Sequence, residues 1–399
     1  MTIAHIALRS LRQHALSTAV TAVSIALAIG LLMSVWVIKE EANANFTRVN
    51  AGFDAVLGPR SSDLQLVLNS IFHLETSPGN IPWSEFLNIE KHPSVARAVP
   101  IAVGDSFLGY RVVGTTLEMF RQEQTAGGSQ LRLKTGRVFD PALREAVVGS
   151  FVADRLKLEP GDEFHPAHGV ASAEQADHPE AYVVIGILKP SNTPADRVIW
   201  IPLEGLQKMT GHRAEAQAEI SAVLIRFHGA AAIKMLQQKY NASGGAYTLA
   251  GPVGSIVAQL LQKLSWVDRV LQLIALLVVF IAAGTVLASI YNSINERRRE
   301  FAILRALGAR RTLVFLTIIV ESAATAALGA VASFAIYIAI MTGVAHVIRS
   351  QTGVVLDWAA WHPVLLWAPA GVIALASLVG IVPAFKAYGI EVADQLSPA

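Results

Sequence analysis

The 399-residue sequence contains no cysteine. No disulfide can staple any part of it, so each folded part must be held by its own core, and the redox compartment cannot be read from thiols. Charge is scarce too: Asp, Glu, Lys and Arg make up 16% of the residues and nearly cancel, leaving +2 at pH 7. So small an imbalance gives no electrostatic case for nucleic acid as a partner. No Gly-x-x-x-x-Gly-Lys-Ser/Thr loop occurs, because Gly127-Gly128 and Gly244-Gly245 both lack the lysine that reaches the phosphates. The chain alone is therefore expected to hydrolyse no ATP. No nucleophile triad or catalytic carboxylate pair can be argued from spacing. The serines of Arg60-Ser61-Ser62-Asp63 lack a Gly-x-Ser-x-Gly setting.

Apolar residues are abundant. At 53% hydrophobic and a mean hydropathy of +0.46, the chain is expected to hold several membrane spans beside a substantial soluble part. A bilayer core about 30 Å thick needs about 20 apolar residues in a helix. The runs 15–38 and 270–290 are uncharged, 313–347 is interrupted only by Glu321, and 364–385 contains Pro369 and Pro383. With their flanks these give spans 15–38, 267–294, 312–347 and 363–386.

Orientation follows from basic residues in the short flanks. Arg9 and Arg12 precede the first span, and Arg297, Arg298, Arg299, Arg305, Arg310 and Arg311 crowd the segment 295–311. That segment, the N-terminal 1–14 and the tail 387–399 are expected on the cytoplasmic side, with 39–266 and the short loop 348–362 outside. The first run is longer than the 7–15 residues or so of a signal-peptide core and reads as an anchor, although Ala42-Asn43-Ala44 offers a cleavage-like site. Ile3, Ile6, Leu8 and Leu11 alternate with basic residues in 1–14, as in an amphipathic helix on the inner membrane face, or in a solvated extension of the span.

The external segment 39–266 mixes strand and helix irregularly, which favours an α+β domain. Strands are expected at 96–103, 107–114, 182–188, 198–201 and 221–227, a strand followed by a short helix at 144–158, and helices at 84–92 and 230–240. The stretch 51–82, with Gly58-Pro59-Arg60 and His73, reads as a connecting segment packed on the domain. Ser243-Gly244-Gly245 is expected to break the chain before a long helix enters the second span.

The segment 295–311 carries the strongest signal. A helix from about 296 to 307 puts Phe301, Leu304 and Leu307 at i, i+3 and i+6, an apolar stripe that fits a partner's groove. Arg298, Glu300 and Arg305 flank the stripe, and Gly308 can end the helix in a left-handed conformation. On these residues alone, a basic loop touching lipid headgroups is an equal alternative. Arg310 and Arg311 read as membrane-surface anchors.

The run Arg299-Glu300-Phe301-Ala302-Ile303-Leu304-Arg305-Ala306-Leu307-Gly308-Ala309 resembles the R-x-x-E-x-A-x-L-R-A-L-G-A coupling segment of the MacB/FtsX/LolC-type ABC transporter permeases. Val382-Pro383-Ala384-Phe385-Lys386-Ala387, followed by 391–396, resembles that family's P-A-x-x-A ending, and 145–164 and 184–203 resemble its periplasmic core domain. Glu321 falls where the family places an acid in its third span.

The resemblance implies four transmembrane helices with an α+β periplasmic domain in a bacterial inner membrane. It also implies a dimer with a second permease copy or paralogue, driven by a cytoplasmic ABC ATPase dimer that holds ATP and Mg. Work would be done outside by transmitted motion, on a cargo or on a periplasmic partner protein.

Two further candidates are chemical. Glu321 is the only acid within the four apolar runs, and a structural hydrogen bond is the reading favoured over proton coupling. His165 and His168, with His178 ten residues on and Asp177 and Glu180 beside it, are residues of the kind that ligate zinc; a solvated variable loop is the alternative.

Overall fold

A computed structural model of the chain describes residues 15–48, 52–121, 131–169, 178–211, 218–263, 265–296, 310–352 and 355–381, together with Arg9, 11–13 and Ile303. The tail 387–399 and most of 1–14 and 295–311 lie outside these residues. The chain divides into two compact units. One is Ala42–Lys263 with Val347–Leu356, and the other is Met1–Glu41, Leu264–His346 and Asp357–Ala399.

The first unit is built on a mixed sheet of strands β1 (Ala55–Pro59), β3 (Val95–Phe107), β4 (Tyr110–Thr115), β5 (Leu133–Gly136), β6 (Glu145–Val148), β9 (Tyr182–Leu188), β10 (Val198–Pro202), β12 (Ala222–Phe227) and β13 (Tyr247–Ala250). Their order is β13-β1-β12-β3-β4-β10-β6-β9-β5. The pairs β4–β10 and β6–β9 are parallel, and the other pairs along this path are antiparallel. Short strands β7 (Glu163–Phe164) and β8 (Ala167–His168) add to β9 and β3, and β2 (Ile81–Pro82) pairs with β11 (Glu219–Ile220).

Strand β10 is apolar at every position because both sheet faces are covered, so the usual alternation disappears. In β10, Ile199 and Ile201 enter one core while Val198 and Trp200 enter the other; Val223 and Ile225 of β12 part in the same way from Ala222 and Leu224. Helices Trp83–Glu90 and Ala230–Tyr240 close the first core with Phe86, Ile89, Ile233 and Leu236. Helices Asp63–Ser70 and Val253–Lys263 close the second with Leu66, Val67, Val253 and Val257.

Three expectations change here. The stretch 51–82 is more than a connector: β1 is an inner strand between β12 and β13, and Ser62 caps the following helix by accepting from the Gln65 N–H. The strand expected at 107–114 is cut by a two-residue hairpin turn. Leu108 and Gly109 both have positive φ (48° and 83°) and Phe107 pairs with Tyr110, the conformation that matches the twist of an antiparallel pair. The glycines after Ser243 lead into β13 before any long helix begins.

In the second unit, three helices are long and apolar enough to cross a membrane: Ala15–Glu41, Ser265–Asn292 and Thr312–Ser350. The described part of the next apolar helix is Val364–Val379. Ile25, Ile29 and Met33 meet Ala326, Ala330 and Tyr337 and the four-spaced series Val364, Ala368, Val372 and Ala376 in one core. Small residues allow this approach. A Cβ on Gly329 would lie 2.7 Å from Ile25, and one on Gly30 2.7 Å from Ile336.

Candidate functional site

The register of the sheet assembles a cluster in the first unit that spacing alone does not show. β8 lies antiparallel beside β3, with Asp105 opposite His168. His168 Nδ1 is 3.3 Å from Asp105 Oδ1. His178 reaches the same carboxylate after its own N–H donates to the Pro166 carbonyl, 2.8 Å, and its Nε2 stands 3.5 Å from Asp105 Oδ1. The two imidazoles meet with ring centroids 4.1 Å apart. Asp105 and His178 are buried, whereas the His168 side chain is 44% exposed, so the cluster opens to solvent on one side.

A further carboxylate fixes this arrangement from behind. Glu180 accepts from the Thr210 N–H at 3.0 Å and from its hydroxyl at 2.6 Å. The Thr210 carbonyl in turn lies 2.8 Å from His178 Nδ1. Burial pushes the Glu180 carboxyl up, but the hydrogen bonds from Thr210 outweigh it and hold the group below its ordinary value. In the adjoining core, Phe164 packs against Phe107 at 5.0 Å and Tyr182 at 6.0 Å. The Tyr182 phenol is pushed up to about 12, first by burial and then by the charges of Glu180 and Asp105.

Of the three histidines singled out in the sequence, His168 and His178 join the cluster. His165 is exposed, with its Nδ1 3.3 Å from the His178 carbonyl oxygen. Asp105 completes the cluster, and no local motif announces it. Asp177 lies outside the described residues.

A second buried arrangement lies deeper in the same unit. Arg111 donates to the carbonyls of His73 (3.0 Å) and Glu75 (2.6 Å), and Asn69 donates to Glu75 as well. The His73 ring stands edge-on to Trp200 at 5.6 Å. Burial and then the Arg111 charge push His73 down to about 3, so it is neutral at any ordinary pH. These contacts are structural.

In the helical unit, His362 is buried with Nδ1 3.6 Å from Glu40 and Nε2 3.6 Å from Glu41. Glu321 is half-buried on its helix, and its backbone carbonyl accepts from Thr325 Oγ1 at 2.9 Å. The residues expected to grip a partner, Arg298, Glu300, Phe301, Leu304, Arg305, Leu307 and Gly308, lie outside the described residues.

Comparison with known proteins identifies both units. The model of the MacB-like periplasmic core domain matches residues 18–242, and that of the FtsX-like permease C-terminal matches 272–392. No curated protein matches the chain. Among solved structures, the extracellular domain of the noncanonic ABC-type transporter YknZ from Gram-positive bacteria is similar at 17% identity. That match covers 49% of this chain and 98% of the other, with a TM-score of 0.31. The periplasmic region of MacB from Actinobacillus actinomycetemcomitans is similar at 13% identity, covering 53% and 94%, with a TM-score of 0.35. The first family model alone spans more than half of the sequence, and the second follows it in the order expected of one transporter subunit: the chain belongs to the MacB/FtsX-type ABC transporter permeases.

Proposed function

We propose that this chain is the membrane subunit through which a separate cytoplasmic ATPase pair moves the MacB-like domain, so that ATP and Mg act in the partner and work is done outside. One observation carries the reading. Within its FtsX-like match, 272–392, the sequence holds a short basic segment, 295–311, set between the apolar helices Ser265–Asn292 and Thr312–Ser350. A charged, helix-forming sequence in so short a loop suits a partner's groove, and its arginines favour the cytoplasmic side of an inner membrane. On that topology the N- and C-termini are cytoplasmic and the domain is periplasmic. The permease works as a pair, with a second copy or a related chain, and exports or extracts a cargo.

The FtsX-like match supports a second reading, in which the same motion controls a periplasmic protein instead of moving cargo. ATPase stimulated by a cargo points to transport. Stimulation only by a periplasmic protein points to control.

The test is purification of the tagged chain in mild detergent from its native membrane, beside a Phe301/Leu304/Leu307→Ala variant. An ATPase that accompanies the native chain and is lost from the folded variant supports the proposal. Equal recovery with both moves coupling elsewhere, and no ATPase with either defeats it.

A further inference from the structure

We infer that Asp105, His168 and His178 form an exchangeable site for a divalent transition-metal cation, zinc by preference, in the MacB-like domain. The inference stands on the geometry of this cluster and does not depend on the ATPase-driven reading.

Donor type and spacing fit such an ion. Two imidazoles and one carboxylate are borderline ligands suited to zinc, and their donor atoms lie within 4.8 Å of one another. Tetrahedral zinc with bonds of about 2.0–2.2 Å sets neighbouring donors roughly 3.3–3.5 Å apart. His168 Nδ1 and His178 Nε2 stand 3.3 and 3.5 Å from Asp105 Oδ1. Both separations match those between neighbouring donors on one tetrahedral ion.

The outer contacts agree. A carbonyl oxygen only accepts, so His178 Nδ1, 2.8 Å from Thr210 O, is the protonated nitrogen. Nε2, which faces Asp105, is then the nitrogen placed to ligate a cation. A ring N–H donated to a carbonyl, itself braced by a carboxylate, is the usual support behind a metal-binding histidine. Here Glu180 does the bracing through Thr210. Three protein ligands leave a fourth position, and the half-exposed His168 places it at the surface. An open site exchanges its ion with the medium, whereas a structural site of four protein ligands is closed.

The experiment uses the full chain without a histidine tag, in detergent, stripped with EDTA and titrated with ZnCl2 against a competing chelator at pH 7.5. Bound metal is counted by mass spectrometry. We expect one zinc per chain with Kd below roughly 1 µM. His168→Gln, the mildest change because that side chain is half exposed, should weaken binding by at least about tenfold, and Asp105→Asn likewise. His165→Gln should not change it. Cobalt in place of zinc should give the intense visible bands of a tetrahedral site, and His168→Gln should abolish them while melting within a few degrees of the native chain. Three results would overturn the inference: no zinc bound, affinity unchanged in His168→Gln, or equal loss in His165→Gln.

Discussion

Gly329 and Ile25 lie so close that a single added methyl would overlap. A Cβ on the glycine would sit 2.7 Å from both Cβ and Cγ2 of Ile25. Helices Ala15–Arg48 and Arg311–Thr352 are joined there by backbone proximity, as helices in lipid commonly are. Gly329→Val should therefore cost about 1–3 kcal/mol, as overpacking does. It should appear as a lower melting temperature of the detergent-solubilised chain. Gly371 is the control: a Cβ added there would meet nothing within 4 Å, and Gly371→Ala should leave the melt unchanged or raise it slightly.

Glu145 and Arg137 form a fork, with guanidinium nitrogens 2.7 and 2.5 Å from the two carboxylate oxygens, and the Asp140 N–H donates to the same carboxylate at 2.8 Å. The Arg137 hydrogen bonds chiefly hold the Glu145 carboxyl below its ordinary value, against the upward push of burial. The depressed value sets the sign. Stability from this pair is complete above the ordinary carboxylate range and is lost as pH falls through the folded value. Glu145→Gln should lower stability at pH 7 in denaturant melts, modestly because solvent screens the half-exposed Arg137, and should show a flatter acid limb.

His73 titrates with the opposite chemistry and the same direction of loss. Above its ordinary value of 6.5 both folded and unfolded chains are neutral there, and nothing changes with pH. Below it the unfolded chain takes a proton that the folded chain refuses until about 3, so stability falls across that window. The full loss is at most roughly 5 kcal/mol. His73→Asn keeps a residue that tolerates the positive φ of 55° and should flatten the stability profile between pH 6.5 and 3. An unchanged slope would show that the ring is hydrated in the native state.

On the proposed ATPase-driven reading, Glu321→Gln should assemble and support ATP turnover within about twofold of native, since the isosteric amide keeps the shape and one acceptor oxygen of a half-buried side chain. Turnover and copurification from membranes measure this. Loss of turnover in a fully assembled complex would instead make the carboxylate a proton carrier.

The apolar strands were legible because burial on both faces leaves a run of apolar residues: Val198–Pro202 and the Ala222–Ile225 part of Ala222–Phe227 read as strand before any partner is known. β1 was not, since its apolar core is only Ala55-Val56-Leu57 and the Gly58-Pro59 beside it signals a turn. Its place is decided by pairing with Leu224 and Leu249, far along the chain. The histidines drew attention by their nearness in sequence, yet the residue that organises them comes from β3. Asp105 and His168 become neighbours only through strand pairing, so no local period records them. His165, nearest of all to His168 in the chain, falls outside the cluster because successive residues along an extended chain alternate in direction. The residues 298–308, proposed to couple to an ATPase, were the plainest signal in the sequence, and the proposal rests on that sequence alone.

The strands that open and close the MacB-like domain's main sheet are antiparallel neighbours, Val56 beside Ala250 and Leu57 beside Leu249, and the Val253 N–H closes on the Asp54 carbonyl at 2.9 Å. The domain is thus clasped at its own root, like a bead on a loop of thread. Drawing its two ends apart would unzip β1 from β13 one hydrogen bond after another, at low force. Moving them together would carry the whole bead with its sheet intact. The same clasp makes the bead removable: a turn of a few residues from Asp54 to Val253 would bridge the gap it leaves.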